Sequence, residues 1–129
     1  MKTYVMDTFC WTELLQGGPK SPAVQRILDE KDAEFLISTL TLAELSAKLH
    51  AAGKGHDVHH VLAAVCSRAK TVDISLGIAH KAGQLWAERH PKDNTGLIDC
   101  IIAAIALAHD ATIVSGGQHF KNFPNAIIV

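Results

Sequence analysis

Gly96-Leu97-Ile98-Asp99-Cys100-Ile101-Ile102-Ala103-Ala104-Ile105-Ala106 is the most hydrophobic run of the chain, and Asp99 is its only charged residue. A helix over Leu97 to His109 is apolar on nearly every side, so it has no face to give to water and is expected to be central and buried. Outward from it, short β-prone runs alternate with helical ones. Thr3 to Met6, Phe35 to Ser38, Thr71 to Ile74, Thr112 to Val114 and Ala126 to Val129 read as strands. Thr8 to Leu15, a segment opened by Ser21-Pro22, Thr41 to Ala52, His56 to Ala69 and a long helix capped by Ser75 and stopped by Pro91 read as helices. This alternation predicts an α/β sandwich with a central, mainly parallel sheet, whose ligands sit beyond the carboxyl ends of the strands where strand order reverses.

The chain has 129 residues, 48% hydrophobic and 19% charged, with a formal net charge of −1. That composition excludes a disordered chain and fits one domain over residues 1–129. Near-neutral charge means that any grip on nucleic acid must be local, with Lys20, Lys48, Lys54 and Lys92 as candidates. No apolar run is long enough to span a bilayer and Asp7 interrupts any leader-type start, so the expected location is the cytoplasm, with no membrane partner. Cys10, Cys66 and Cys100 form no CxxC pair and read as reduced core thiols.

Three acids stand out. Asp7 closes the first strand and opens the first helix, where it can cap the helix or face a ligand. Glu44 follows Thr41 by three residues, the pattern of a capping box, yet lies among Leu42, Ala43, Leu45 and Ala47. Asp99 sits in the apolar run, where a charge needs a partner; the helix dipole supplies part of one. Carboxylates gathered at one sheet edge repel each other, and Mg²⁺ or Mn²⁺ is the fitting remedy because neither needs His or Cys. Such an ion commonly binds phosphate oxygens and activates water, which points to phosphodiester hydrolysis.

Other constellations lead elsewhere. His50, His56, His59 and His60 share helical spacing, but no Cys or acid completes a tetrahedral zinc set. Asp7 is followed by Thr8-Phe9, which removes a DxD phosphatase, and the paired acids of an aspartyl-phosphate receiver are missing. Trp11 and Trp86 read as core or interface.

At Val5-Met6-Asp7-Thr8 with Trp11, at Ser38-Thr39-Leu40-Thr41-Leu42-Ala43-Glu44-Leu45, at Leu97 to Ala104 with Ala106, and at Ala111-Thr112-Ile113-Val114-Ser115 leading to His119-Phe120, the chain resembles the PIN-domain ribonucleases, specifically the VapC-like toxins of toxin–antitoxin pairs. The resemblance spans essentially the whole chain. It implies a PIN-like α/β/α sandwich, cleavage of RNA with Mg²⁺ or Mn²⁺, a homodimer, and a cognate antitoxin through which alone the chain would meet DNA. An antitoxin segment laid across the cleft would place a Lys or Arg among the acids.

By position, Asp7, Glu44 and Asp99 match the first three family acids: Asp7 and Asp99 as direct ligands, Glu44 acting through water or orienting the nucleophile. Thr8, Ser115 and Gly117 are candidate substrate contacts. The chain departs from the family at the fourth acid, where Gly117 stands after Ser115 and Gly116. Asp110 lies at the wrong end of its strand to replace it, and Asp93 is a candidate substitute ligand. That departure supports an alternative, a catalytically weak or inactive PIN-fold module that works by protein or RNA binding.

Overall fold

In the computed structural model, which describes residues 1–90 and 92–129, five strands form one sheet in the order β3-β2-β1-β4-β5, and every neighbouring pair is parallel. The strands are β1 (Lys2–Met6), β2 (Ala33–Ser38), β3 (Lys70–Val72), β4 (Thr112–Ser115) and β5 (Ala126–Ile128). The helices are α1 (Thr8–Gln16), α2 (Ser21–Leu28), α3 (Thr39–Ala51), α4 (Val58–Cys66), α5 (Leu76–Arg89) and α6 (Leu97–Ala108), with 3₁₀ turns at Gly55–Asp57 and Gln118–Phe120. Among the described residues no helix is long and apolar enough to cross a membrane.

The central strands are buried on both faces, as parallel strands covered by helices must be. Val5, Leu36 and Ile113 turn one way, into a core shared with α5 and α6 through Ile78, Ala82, Ile102 and Ile105. Tyr4, Met6, Phe35, Ile37 and Val114 turn the other way and pack with Trp11, Val24, Leu45 and Val65 from α1 to α4. Two apolar layers on either side of one sheet make the expected sandwich.

Strand order reverses at β1. The chain runs from β1 to β2 and β3 on one side and returns to β4 and β5 on the other. The carboxyl ends of β1 and β4 therefore flank the switch point, with Met6 paired to Val114.

Several local expectations need correction. α3 begins at Thr39, and Ser38 is its cap, its Oγ accepting the Leu40 N–H at 3.0 Å. Thr41 thus lies inside the helix, fully buried, and no capping box involves Glu44. The reason lies in the strand, since β2 ends on a serine in extended backbone that can cap at once. α6 is central but not apolar-covered all round, because Leu97, Ile98 and Leu107 are about half exposed. Cys10 and Cys100 are buried free thiols, whereas Cys66, at the end of α4, is exposed. Ser75 caps α5 as expected, its Oγ accepting the Ile78 N–H; the stop assigned to Pro91 falls outside the described residues.

Candidate active site

Asp7 stands at the junction of β1 and α1. Its Oδ1 accepts the Cys10 N–H at 3.1 Å and caps α1, while its Oδ2 accepts the Ser115 hydroxyl at 2.5 Å. The helix-cap reading of Asp7 therefore holds, and its second oxygen is engaged by Ser115. Ser115, fully buried at the end of β4, in turn accepts the Gly117 N–H at 3.0 Å. The run of hydrogen bonds from the Gly117 N–H to Ser115 and from the Ser115 hydroxyl to Asp7 ties the end of β4 to the end of β1 across the switch point.

Glu44 reaches the same edge from the second turn of α3, and its Oε1 accepts the Thr8 hydroxyl at 2.5 Å. Asp99 arrives from the first turn of α6, which has no side-chain cap of its own at Gly96. His119 Nδ1 lies 3.7 Å from Asp99 Oδ2. His119 is largely exposed while Phe120 beside it is buried. Phe120 is therefore the buried anchor of this loop, and His119 lies beside Asp99.

The electrostatics mark these three acids as one group. Burial pushes the Asp7 carboxyl above the ordinary carboxylate range, against the pull of its Ser115 and Cys10 hydrogen bonds, and the charge of Glu44 adds to the rise. Burial also raises Asp99, with Asp7 and Glu44 adding and His119 opposing. Carboxylates that are desolvated and in each other's field are costly to ionise together unless positive charge joins them.

A divalent ion fits that deficit. The donors are oxygens only, which suits Mg²⁺ or Mn²⁺ and disfavours zinc. Among the described residues no three His, Cys, Asp or Glu side chains already converge as a metal cage. That suits an ion held by one or two carboxylates and otherwise by water.

The remaining candidates separate. Asp93 is turned into its own loop, where Oδ1 accepts the Thr95 N–H at 2.9 Å, and this bond lowers its pKa. Thr8 and Ser115 spend their hydroxyl protons on Glu44 and Asp7, and the Gly117 N–H is spent on Ser115. The two partnerships of the hydroxyls cross 36 and 108 residues of sequence, so no local motif could have revealed them. Lys48 and Lys54 lie along a groove of about 220 Å³ between α1 and α3, with Leu15, Leu45 and Leu49.

The PIN domain family model matches residues 4–126, and the chain belongs to that family. It is similar to a VapC ribonuclease and to solved toxin–antitoxin complexes. Ribonuclease VapC2 of Rickettsia felis is 30% identical over 130 residues, covering 97% of this chain and 95% of the relative. The VapBC2 structure from Rickettsia felis, bound to a promoter DNA fragment, superposes with a TM-score of 0.80 at 28% identity over 98% of this chain and 97% of that one. A toxin–antitoxin complex from Klebsiella pneumoniae shares the fold, with a TM-score of 0.76 at 21% identity over 96% of this chain and 95% of that one.

Proposed function

We propose that this chain is a Mg²⁺- or Mn²⁺-dependent endoribonuclease and the toxin of a toxin–antitoxin pair. The observation that carries this reading is that three separate elements bring Asp7, Glu44 and Asp99 to the switch-point edge of the sheet, with Glu44 tied to Thr8 beside Asp7 and the charges of Asp7 and Glu44 acting on Asp99. Kinship with Ribonuclease VapC2 along nearly the whole chain supports it.

Asp7 and Asp99 would hold the ion, and Glu44 would act from beside them through water. When bound, Mg²⁺ or Mn²⁺ offsets the charge of the scissile phosphate and lowers the pKa of water. Asp7 is pre-set for its task, since the Cys10 N–H and the Ser115 hydroxyl fix both of its oxygens before any ligand arrives. Glu44 orients the attacking water. The oxygen of that water bonds to phosphorus as the bridging P–O bond breaks; the water gives up a proton and the departing oxygen takes one from solvent, leaving a phosphate on one fragment and a hydroxyl on the other. Retention of the three acids favours this reading over a binding-only module, despite Gly117 at the expected fourth position.

The antitoxin is a partner of the same surface. Its segment would lie across the cleft and place a basic side chain among the acids. The toxin acts as a homodimer.

The test is cleavage of a mixed RNA panel by purified, antitoxin-free chain in EDTA, Mg²⁺ or Mn²⁺, beside the Asp99→Asn variant. Cutting that needs the ion and disappears with the substitution is expected. Equal cutting by the variant, or none by a folded wild type under any condition, overturns the proposal.

A further inference from the structure

We infer that Thr8 is a positioning residue for the metal site, acting through Glu44; this rests on the metal-dependent reading above. Thr8 is the first residue of α1, directly after Asp7, and its hydroxyl donates to Glu44 Oε1 at 2.5 Å across two helices. A threonine at the start of a helix is ordinarily free to point its hydroxyl at solvent or at the helix backbone. Here the hydroxyl leaves its own helix for a carboxylate on another.

Glu44 needs such a partner more than the two aspartates do. Asp7 is fixed by two donors, and Asp99 is a short side chain in the first turn of α6 facing His119. Glu44 has an extra rotatable bond, is only partly buried, and is not held by a capping box because Ser38 caps α3. Among the described residues, Thr8 is the hydrogen-bond donor found at its carboxylate. With Oε1 engaged, Oε2 is the oxygen left for the ion's surroundings, and the carboxylate plane is set before the ion arrives.

The bond also couples the two sides of the site. Asp7 and Thr8 are consecutive, so the same short piece of backbone fixes one acid directly and a second through its neighbour's hydroxyl. A shift at the start of α1 would move Asp7 and release Glu44 together.

Supporting partners of this kind typically contribute about 10–100-fold to metal affinity. The experiment is titration of the ion-free wild type, Thr8→Val and Thr8→Ser with MnCl₂ alone, by calorimetry and by the rise in melting temperature, with melting in EDTA as the folding control. Thr8→Val keeps the shape and branching without the hydroxyl; Thr8→Ser keeps the hydroxyl. At least about tenfold weaker Mn²⁺ binding by Thr8→Val, with Thr8→Ser close to wild type, is expected. Wild-type affinity in Thr8→Val overturns the inference, and so does equal weakening in both variants, which would assign the effect to packing. Should Thr8→Val fail to fold, Thr8→Ala takes its place, and unfolding of both assigns Thr8 a purely structural role and overturns the inference too. A folded wild type that binds no Mn²⁺ removes the metal reading itself, an outcome distinct from any of these.

Discussion

The ring of Phe9 lies in the space where a side chain at position 116 would begin. A Cβ built on Gly116 would collide with the Cδ1, Cε1 and Cζ atoms of that ring. Gly116 is not among the residues with positive φ, so its glycine is explained by this close approach and not by backbone conformation. The contact presses the first turn of α1 onto the loop that carries Ser115 and Gly117.

Gly116→Ala is accordingly expected to destabilise the fold by overpacking. The cost should fall at the lower end of ~1–3 kcal/mol, because the Phe9 ring is partly exposed and can yield. Combining it with Phe9→Ala should remove most of that cost. Denaturant unfolding of the two single variants and the double variant measures the coupling, and simple additivity would count against the contact.

Replacing Asp7 with Asn should separate stability from activity. The folded state holds the Asp7 proton more tightly than the unfolded chain does. Stability therefore falls as pH climbs from the ordinary carboxylate range through the raised value, and at neutral pH the ionised group is a net cost. Asn caps a helix about as well as Asp. Asp7→Asn should thus melt higher than wild type in EDTA at pH 7, with the gap shrinking towards pH 4, while RNA cleavage is lost. A variant less stable than wild type at every pH would refute this account.

The start of α3 offers a paired test. Ser38→Ala removes the acceptor for the Leu40 N–H and should cost about 1 kcal/mol. Thr41 Oγ1 is buried with no partner among the described residues, so Thr41→Val, which keeps the shape, should be neutral or stabilising. A capping box at Thr41 demands the reverse ranking in thermal or chemical unfolding.

Position 117 can be returned to an acid. Gly117 has φ −95° and ψ 153°, open to any residue, and a Cβ there would stand 3.6 Å from Ser115 Oγ and 3.3 Å from His119 Cδ2. Gly117→Asp should tighten Mn²⁺ binding by adding a carboxylate, and should lower the melting temperature in EDTA because that charge joins Asp7 and Asp99 without compensation. Calorimetry and melting on the same preparation check both signs.

What could be read from sequence divides along physical lines. The alternation of strand and helix was legible because burial on two faces leaves long apolar runs in Thr3 to Met6 and Leu97 to Ala106. Asp7 and Asp99 were legible because a charge beside such runs demands a reason. Glu44 was ambiguous: the Thr41 spacing imitates a cap, and only the backbone at Ser38 decides against it. The partners of the acids were hidden, because a hydroxyl such as Thr8 or Ser115 carries no sign of which remote carboxylate it will meet. The nearness of His119 to Asp99 was equally hidden, since side-chain direction in a short 3₁₀ turn is set by which residue the core accepts, here Phe120.

The central place of β1 has a further consequence. Its two flanking strands are made far apart in synthesis, β2 soon after it and β4 more than a hundred residues later. Asp7, first of the acids to leave the ribosome, must wait for Asp99 to complete the charge cluster and for Ser115 to fix its second oxygen. A growing chain thus cannot assemble this group of acids through most of its own synthesis, and whatever chemistry they perform is withheld until the last strands close the sheet.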